Sequence, residues 1–293
     1  MKNPDTLYTL ITGASKGLGK AFAKECASRH MNLLLVALPN ESLSDLCDEL
    51  QQAYSIQIVY READLTKRKA VTDFANWAKT NYSINLLINN AGVGGTKLFM
   101  DASTDYLENM IQLNIRAMTF LTRLLLPELK KHPESYLLNV SSLAAFSPVP
   151  YKTIYPASKA FIHHFTRGLE AELRDTNIRV SVLNPGPIKT NSDVSKRING
   201  QSSYVKLSIM TPDEIAQIAL KKLLKGKSVI IPGFMNRLNA FFIRLVPVSF
   251  RIFVGTQIFK RDFLKEQNHE STDNRSKQPA WKQPDQETIT SEL

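Results

Sequence analysis

Seven short apolar runs, rich in leucine and β-branched residues, alternate along the chain with segments of helix length. The runs are Leu7 to Thr12, Asn32 to Leu38, Ile56 to Tyr60, Ile84 to Asn89, Tyr136 to Val140, Arg179 to Asn184 and Ser228 to Pro232. Apolar strands separated by helices are typical of a parallel sheet that is covered on both faces. The sequence therefore predicts an α/β fold: a single doubly wound Rossmann-type domain with a seven-stranded parallel sheet and helices on both faces.

The composition divides the chain into three parts. Residues 1–232 carry the predicted sheet, and within them Thr211-Pro212-Asp213-Glu214 predicts the capped start of a helix. Residues 233–265 form an apolar and basic extension. Residues 266–293 are polar and rich in Gln, Ser, Thr, Lys and Pro, which predicts a disordered tail.

Charge and cysteine content restrict the function classes. The two cysteines, Cys26 and Cys47, show neither paired nor metal-ligand spacing, which favours a reducing compartment and predicts no metal site. The first apolar strand begins after only six residues, which leaves no room for a signal peptide, so a cytoplasmic protein is expected. The formal charge of +10 is not organised into an aromatic-interleaved basic motif. An anionic cofactor or a membrane surface is therefore a better partner than nucleic acid.

A glycine-rich turn, Thr12-Gly13-Ala14-Ser15-Lys16-Gly17-Leu18-Gly19, joins the first strand to a helix-like segment. Glycines in such a turn let the backbone approach a pyrophosphate, and the N-terminus of the next helix attracts anions. The turn therefore predicts dinucleotide binding. Its Gly-x-x-x-Gly-x-Gly spacing differs from the common Rossmann fingerprint, so a glycine-rich loop without a ligand is the alternative.

Tyr155 and Lys159 stand four residues apart at the start of a helix-like segment. This spacing puts both side chains on one face of a helix. A nearby cation favours the phenolate, so Lys159 is expected to lower the pKa of Tyr155 from about 10 and to make it a general acid and base. Taken alone, the pair also fits a simple surface contact.

Further motifs follow in one order along the chain: Asp64-Leu65, Asn89-Asn90-Ala91-Gly92, Asn114, Ser141-Ser142 and Pro185-Gly186. From about Leu7 to Pro232 the series resembles the short-chain dehydrogenase/reductase family. The resemblance implies oxidoreductase chemistry, in which hydride passes between a nicotinamide cofactor and a carbonyl or alcohol group.

The resemblance also implies roles for individual residues. The catalytic set is Asn114, Ser142, Tyr155 and Lys159. In this set Ser142 holds a substrate carbonyl oxygen, with Ser141 the poorer candidate, and Asn114 supports Lys159 and a relay water. The expected cofactor contacts are Thr12, Gly13, Ser15, Lys16, Gly17, Leu18, Gly19, Asp64, Leu65, Asn90, Ala91, Gly92, Tyr155, Lys159, Pro185, Gly186, Ile188 and Thr190. Asn90 also fits a purely structural role.

The choice between NADP(H) and NAD(H) depends on the end of the second strand. An acidic residue there would bind the ribose 2′-hydroxyl and repel a 2′-phosphate, but the chain reads Val36-Ala37-Leu38-Pro39. Lys16 is the cation available for the phosphate. NADP(H) is therefore expected over NAD(H).

Apolar residues near the expected nicotinamide end indicate a pocket for an apolar, lipid-like substrate. They are Leu98, Phe99, Met100, Phe146, Pro148, Val149, Pro150 and Tyr151. Several of them could instead cap the core. The polar segment from Asn191 to Ser203 is expected to form a lid.

The segment from Phe234 to Leu264 is strongly apolar, but its arginines and its proline argue against a transmembrane helix. Two interpretations stay open: a peripheral membrane anchor, with Arg237, Lys260, Arg261 and Lys265 at lipid headgroups, and a cover over the cleft or a dimer contact. By analogy with the family, a homodimer or homotetramer is expected. The alternative functions are a catalytically idle NADP(H)-binding sensor and a membrane-surface interaction protein.

Overall fold

The computed structural model describes residue 3 and residues 5–189 and 208–257. Its strands are β1 Leu7–Thr12, β2 Asn32–Ala37, β3 Ile58–Glu62, β4 Ser83–Asn89, β5 Ser135–Val140, β6 Ile178–Leu183 and β7 Val229–Ile230. Within these residues they form one seven-stranded, fully parallel sheet in the order β3-β2-β1-β4-β5-β6-β7. The chain changes direction across the sheet between β1 and β4, which puts the topological switch point at the carboxyl ends of these two strands.

Helices cover both faces of the sheet. They are α1 Gly17–Ala27, α2 Leu43–Tyr54, α3 Arg68–Asn81, α4 Thr104–Ile111, α5 Met118–Leu129, α6 Ile154–Glu172, α7 Pro212–Leu223 and α8 Phe234–Leu245. Buried side chains of α1, α2 and α7 pack on one face, and those of α3 and α5 pack on the other. The predicted fold class is confirmed.

The predicted strand positions differ most at the two edges of the sheet. β3 begins at Ile58 rather than Ile56 and continues through the exposed Arg61 and Glu62, and β7 is only two residues long. An edge strand pairs with one neighbour and tolerates polar side chains. The positions of its apolar residues therefore do not show where it begins and ends. The interior strands match the prediction to within one residue at each end.

The capped start of α7 has the predicted geometry. The Thr211 hydroxyl accepts a hydrogen bond from the Glu214 N–H at 3.3 Å, and the Glu214 carboxylate accepts one from the Thr211 N–H at 2.9 Å. Pro212 occupies the first helical position. Two N–H groups that the helix leaves without partners are thereby satisfied, which fixes where α7 begins.

Several predictions lie outside the described residues: Thr190, the lid from Asn191 to Ser203, the tail at 266–293, and Lys260, Arg261 and Lys265. Of the helices in the described part of the chain, none combines the length and the apolarity that a membrane crossing requires.

Candidate active site

A cleft of about 900 Å³ lies at the carboxyl ends of the strands, over the switch point. Segments that follow β1 to β6 all contribute to its walls. The structure brings the following predicted cofactor residues into its lining: Gly13, Ser15, Lys16, Leu18, Asp64, Leu65, Asn90, Ala91, Gly92, Tyr155, Lys159, Pro185, Gly186 and Ile188. Thr12, Gly17 and Gly19 are not part of that lining.

The turn after β1 has a conformation that requires glycine. Gly13 and Gly17 have φ angles of 66° and 55°, in the left-handed region. A Cβ atom on Gly19 would lie 1.9 Å from the carbonyl oxygen of Gly13, and one on Gly13 would lie 2.9 Å from Ala91 Cα. The backbone therefore forms a close cradle at the N-terminus of α1, whose partial positive charge suits an anionic diphosphate.

Thr12 and Asn90 hold this cradle against the end of β4. The Thr12 hydroxyl accepts hydrogen bonds from the N–H groups of Asn90 and Ala91 at 3.0 and 2.9 Å. The Asn90 side-chain amide donates to the carbonyl oxygens of Thr12 and Gly13 at 3.0 and 3.2 Å. Both side chains are thus engaged with the backbone, and the structure assigns them a positioning role.

An acidic residue that the sequence reasoning missed reaches the same end of the cleft. Glu41 lines the cleft and accepts hydrogen bonds from Ser15 Oγ and Lys16 Nζ, both at 2.5 Å. These bonds, with that from Lys16 the larger effect, lower the pKa of the Glu41 carboxyl. The end of β2 itself, Val36 to Pro39, carries no acid, but the loop that follows brings Glu41 to the same region. Glu41 comes four residues after β2, and the loop returns through Asn40 and Ser42, both with positive φ, which a search of the strand end alone does not reveal.

On the wall formed after β3, Asp64 is held in place by Thr66. Asp64 Oδ1 accepts hydrogen bonds from Thr66 N at 2.9 Å and from Thr66 Oγ1 at 2.6 Å. Asp64, Leu65 and Thr66 all line the cleft. This short turn gives the cleft an ordered side wall, consistent with the expected contact to adenine, and it adds Thr66 to the predicted set.

Three of the four predicted catalytic side chains line this cleft: Ser142, Tyr155 and Lys159. The Ser142 side chain lies close enough to the Tyr155 phenol to influence its pKa. Ser142 follows β5 and caps a 3₁₀ turn at Leu143–Phe146, where its Oγ accepts a hydrogen bond from Ala144 N at 3.1 Å. Two hydroxyl groups thus share one position at the cleft wall, where both could donate to a single carbonyl oxygen.

Burial shifts both titratable groups of this set toward their neutral forms. It lowers the pKa of the Lys159 ammonium to about 8. Lys159 Nζ donates to the carbonyl oxygen of Val140 at 3.0 Å and lies 5.8 Å from the centre of the Tyr155 ring. Burial also raises the pKa of the Tyr155 phenol, and the hydrogen bond with Ser142 opposes that rise. The expectation that Lys159 lowers the pKa of Tyr155 is therefore wrong for this arrangement, in which desolvation is the larger effect.

Asn114 lies in a π-helical stretch, Gln112–Ala117, and is fully buried. Its Oδ1 accepts from Val93 N at 2.8 Å, and its Nδ2 donates to Val93 O at 2.9 Å and to Ser158 Oγ at 3.0 Å. The side chain thus connects the segment after β4 to α6. Single π-helical turns are frequent at functional sites. In this structure Asn114 is a positioning residue for the segment beside Lys159.

The two serines after β5 have different partners. Ser141 is buried, and its Oγ donates to the carbonyl oxygen of Lys159 at 2.7 Å. Ser142 is half-buried, its Oγ accepts a hydrogen bond from Ala144 N, and its side chain lies beside Tyr155. Ser141 therefore holds α6 against β5, whereas Ser142 is the serine next to Tyr155.

The apolar residues expected to form the substrate pocket lie elsewhere. Phe99 and Tyr151 line a separate cavity of about 10 Å³ next to Tyr155, and Met100 is 91% exposed. Phe146 turns away from the cleft and packs its ring edge-on against His163, with 5.0 Å between ring centroids. The large cleft has other apolar residues in its lining, among them Val93, Leu143, Ala144, Pro187 and Ile188. Side-chain directions after β5 depend on the 3₁₀ turn, which the sequence pattern did not predict.

The C-terminal extension packs against the loops of the catalytic end. Arg244 on α8 lies over the Phe146 ring, 4.6 Å from its centroid. Arg251, in a further helix at 248–257, donates to the Phe146 carbonyl oxygen. A Cβ atom on Gly186 would lie 2.3 Å from the Asn236 side chain. The extension therefore contacts the segments that follow both β5 and β6, which favours the interpretation of a cover.

Asn236 is the buried polar contact between α8 and the core. It is 1% exposed, and its Nδ2 donates to the carbonyl oxygens of Ser208 and Pro232 at 2.9 and 3.0 Å.

Asn236→Ala is expected to lower the free energy of unfolding by about 1–3 kcal/mol, because both acceptors lose their buried donor. Urea unfolding measures this. Asn81→Ala is the matched control: Asn81 is exposed and donates within α3, so its loss should cost under about 0.5 kcal/mol. An equal cost for the two variants would contradict the assigned role.

A family model described as short chain dehydrogenase matches residues 8–200. The chain belongs to the short-chain dehydrogenase family. This short-chain dehydrogenase is 34% identical over 194 residues to the very-long-chain 3-oxoacyl-CoA reductase of Anas platyrhynchos, an alignment that covers 64% of this chain and 62% of that protein. It is 30% identical over 217 residues to the 17-beta-hydroxysteroid dehydrogenase type 3 of Mus musculus, over 73% of this chain and 68% of that protein. The chain thus spans less than two thirds of the first of these relatives.

Solved structures agree with this family. The short-chain dehydrogenase resembles the bulky-bulky ketone specific alcohol dehydrogenase from Comamonas testosteroni, with a TM-score of 0.70 and 28% identity over 82% of this chain and 92% of that chain. A short-chain dehydrogenase from Sphingobium yanoikuyae, solved in complex with NADPH, has a TM-score of 0.70 and 29% identity over 80% of this chain and 92% of that chain. The resemblance inferred from the motifs is confirmed.

Proposed function

We propose that this short-chain dehydrogenase interconverts a carbonyl and an alcohol on an apolar, lipid-like substrate by hydride transfer with NADP(H), and that Tyr155 is its general acid and base. The observation that carries the proposal is that Ser142, Tyr155 and Lys159 line the same cleft as a glycine cradle for a diphosphate. A cleft of about 900 Å³ that contains both a diphosphate cradle and these catalytic side chains fits a dinucleotide.

The reduction needs a hydride donor and a proton donor on one carbonyl group. NADPH held along the glycine cradle would supply the hydride to the carbonyl carbon. Ser142 and Tyr155 donate hydrogen bonds to the carbonyl oxygen and stabilise the negative charge that develops there. Tyr155 then gives its proton to that oxygen, which leaves a phenolate near the Lys159 ammonium. Because burial keeps the phenol protonated at neutral pH, Tyr155 begins the reduction in the acid form.

Asn114 and Ser141 act by position. Asn114 fixes the backbone of Val93 in the wall of the cleft, and Ser141 fixes the α6 backbone at Lys159. Small errors in the placement of reacting groups are costly in rate. Both residues are therefore expected to influence turnover through the geometry of Tyr155 and Lys159.

Two features support an apolar substrate. The cleft that Tyr155 lines includes the apolar residues Val93, Leu143, Ala144, Pro187 and Ile188. The relatives are named for 3-oxoacyl-CoA, hydroxysteroid and bulky ketone substrates, which share a carbonyl or hydroxyl group on a large apolar skeleton. A ketone flanked by bulky apolar groups is the substrate class that fits both.

Lys16 and Glu41 are proposed to set the preference for NADPH over NADH. The Lys16 side chain is 78% exposed, so its pair with Glu41 contributes little, about 0–1 kcal/mol, and Lys16 can turn to a 2′-phosphate. We expect Lys16→Ala to weaken NADPH binding about tenfold and NADH binding less than twofold. Glu41→Gln should tighten NADPH binding several-fold, because it removes a competing carboxylate. Fluorescence titration measures both.

Lys20→Ala is the matched control for Lys16→Ala. Lys20 lies in α1 near Glu49, and it is absent from the cleft lining. Its replacement should leave both affinities unchanged. Equal weakening of NADPH and NADH by Lys16→Ala would contradict the assignment of the phosphate contact.

Turnover tests the proposed function. Purified protein is incubated with NADPH and with ketones that range from acetone to diaryl ketones and long-chain 3-oxoacyl thioesters. NADPH oxidation is expected to rise with the apolar size of the ketone. Tight NADPH binding with no oxidation across the whole series would instead support the idle sensor.

A further inference from the structure

Helix α8 is amphipathic with its apolar side turned outward. Its buried residues are Asn236 and Ala240, whereas Phe234, Phe241 and Leu245 are 68%, 58% and 65% exposed. Because these three are spaced by seven and four residues, they lie on one side of the helix. An ordinary surface helix packs its apolar side on the core. Here the side chains that reach the core are an asparagine and an alanine.

The next helix extends this apolar surface. In residues 248–257, all the large apolar side chains are exposed: Val248, Phe250, Ile252, Phe253 and Val254. By their spacing Phe250, Phe253 and Val254 share one side of this helix, and together with Phe234, Phe241, Phe242 and Leu245 we call them the aromatic face. Single exposed apolar residues are normal on a protein, but nine of them in two consecutive helices indicate a surface with an apolar partner.

The charges around the aromatic face are all of one sign. Between residues 233 and 257 the sequence contains Arg237, Arg244 and Arg251 and no Asp or Glu. Arg251 is partly buried and bonded to Phe146, while Arg237 and Arg244 are exposed. Arg237 and Arg244 stand seven residues apart on α8, along one edge of the aromatic face. An apolar face bordered by cations matches a surface with an apolar interior and anionic headgroups.

We propose that the aromatic face docks on a lipid bilayer that contains anionic phospholipid. The helices lie in the interfacial plane, with the phenylalanines among the upper acyl chains and the guanidinium groups at phosphate depth. The same two helices contact the segment from Phe146 to Pro150, which leads from Ser142 to Tyr155. Docking therefore places the catalytic end of the cleft next to the bilayer, where a lipid-like ketone is dissolved.

Vesicle sedimentation tests the docking without any assay of turnover. The full chain is mixed with vesicles of phosphatidylcholine alone and with vesicles of phosphatidylcholine and phosphatidylserine at 7:3. We expect binding to the anionic vesicles that is at least tenfold tighter. Arg237→Gln should weaken binding to the anionic vesicles about fivefold and leave binding to phosphatidylcholine unchanged. The triple variant Phe241→Ser, Phe250→Ser, Phe253→Ser should weaken binding to the anionic vesicles by more than a hundredfold.

Phe161→Ser is the control for loss of an exposed phenylalanine elsewhere, since Phe161 is 40% exposed on α6. Thermal unfolding and NADPH titration check that each variant is folded. Vesicle binding that is absent in the wild type, or equal in the wild type and the triple variant, would overturn the proposal. Sedimentation velocity measures self-association on the same variants. If the triple variant alone abolishes self-association and leaves vesicle binding unchanged, the aromatic face binds a second copy of the chain instead. Because vesicle binding is measured directly, the docking proposal can fail without affecting the proposed reduction, and the reverse is also true.

Discussion

Tyr155→Phe is expected to lower the rate of carbonyl reduction by a factor of about 10² to 10⁴, the usual contribution of a general acid. The substitution removes the hydroxyl group beside Ser142 and keeps the ring in its half-buried site. NADPH affinity should therefore change less than about threefold. Steady-state NADPH oxidation and a fluorescence titration of the cofactor measure the two quantities on the same preparation.

Tyr106→Phe is the matched control for this loss. Tyr106 and Tyr155 both line the small cavity of about 10 Å³, but Tyr106 is not part of the large cleft. Its hydroxyl should be dispensable, with turnover within about threefold of wild type. Turnover above a tenth of the wild-type rate in Tyr155→Phe would show that another group supplies the proton.

Lys159→Met is expected to change activity and stability in opposite directions. Turnover should fall at least a hundredfold, because the phenolate left by proton transfer loses its cation. The free energy of unfolding at pH 7 should rise by about 1–3 kcal/mol, because an ammonium whose burial lowers its pKa from 10.5 to about 8 is replaced by an apolar chain of similar size. The lost hydrogen bond to Val140 O offsets part of that gain. A functional site commonly has this conflict between activity and stability.

The stability gain should depend on pH in a defined direction. The folded chain releases the Lys159 proton near pH 8, and the unfolded chain releases it near 10.5. Between these values the unfolded state binds more protons, so the wild type becomes more stable as pH rises, whereas the variant lacks this contribution. The advantage of Lys159→Met should therefore be full below pH 8 and should shrink toward pH 10.5. Urea unfolding at pH 7.0 and 9.5 measures the difference.

Lys222→Met provides the comparison for a lysine outside the cleft. Burial is also the main cause that lowers the pKa of Lys222, but this side chain on α7 is only half-buried. Its replacement should leave turnover intact and change stability far less. A loss of stability at pH 7 in Lys159→Met would contradict the account, since it would mean that the buried ammonium is stabilised where it lies.

The sheet and the glycine cradle were predictable because local patterns determine them. Interior parallel strands must be apolar on both faces, so each one is recognisable in the sequence as an apolar run. The turn from Thr12 to Gly19 is equally recognisable from its glycines, since its conformation leaves no room for other side chains at Gly13 and Gly19. Ser142 and Tyr155 were placed by a resemblance in motif order, and the structure brings them together at one end of the cleft.

The features that the sequence did not predict are contacts that depend on loop conformation and on the exclusion of solvent. Glu41 reaches Lys16 through a loop with two positive φ angles, and no periodicity encodes such a path. The direction of the Tyr155 pKa shift depends on how deeply the ring is buried, whereas the spacing to Lys159 indicates only that a cation is near. Phe146 was expected in the substrate pocket, but a 3₁₀ turn and two arginines of the extension hold it outside.

The central claim is that hydride passes between a nicotinamide and a carbonyl carbon in this cleft, with a proton from Tyr155. Transfer of isotope tests it most directly. The protein is incubated with NADPH that carries two deuterium atoms at C4 and with a bulky diaryl ketone, and the product is analysed by mass spectrometry. We predict an alcohol with one deuterium on the carbinol carbon, formed by the wild type and by Tyr106→Phe but not by Tyr155→Phe. Oxidation of NADPH without deuterium in the alcohol, or equal labelling by Tyr155→Phe, would contradict the claim.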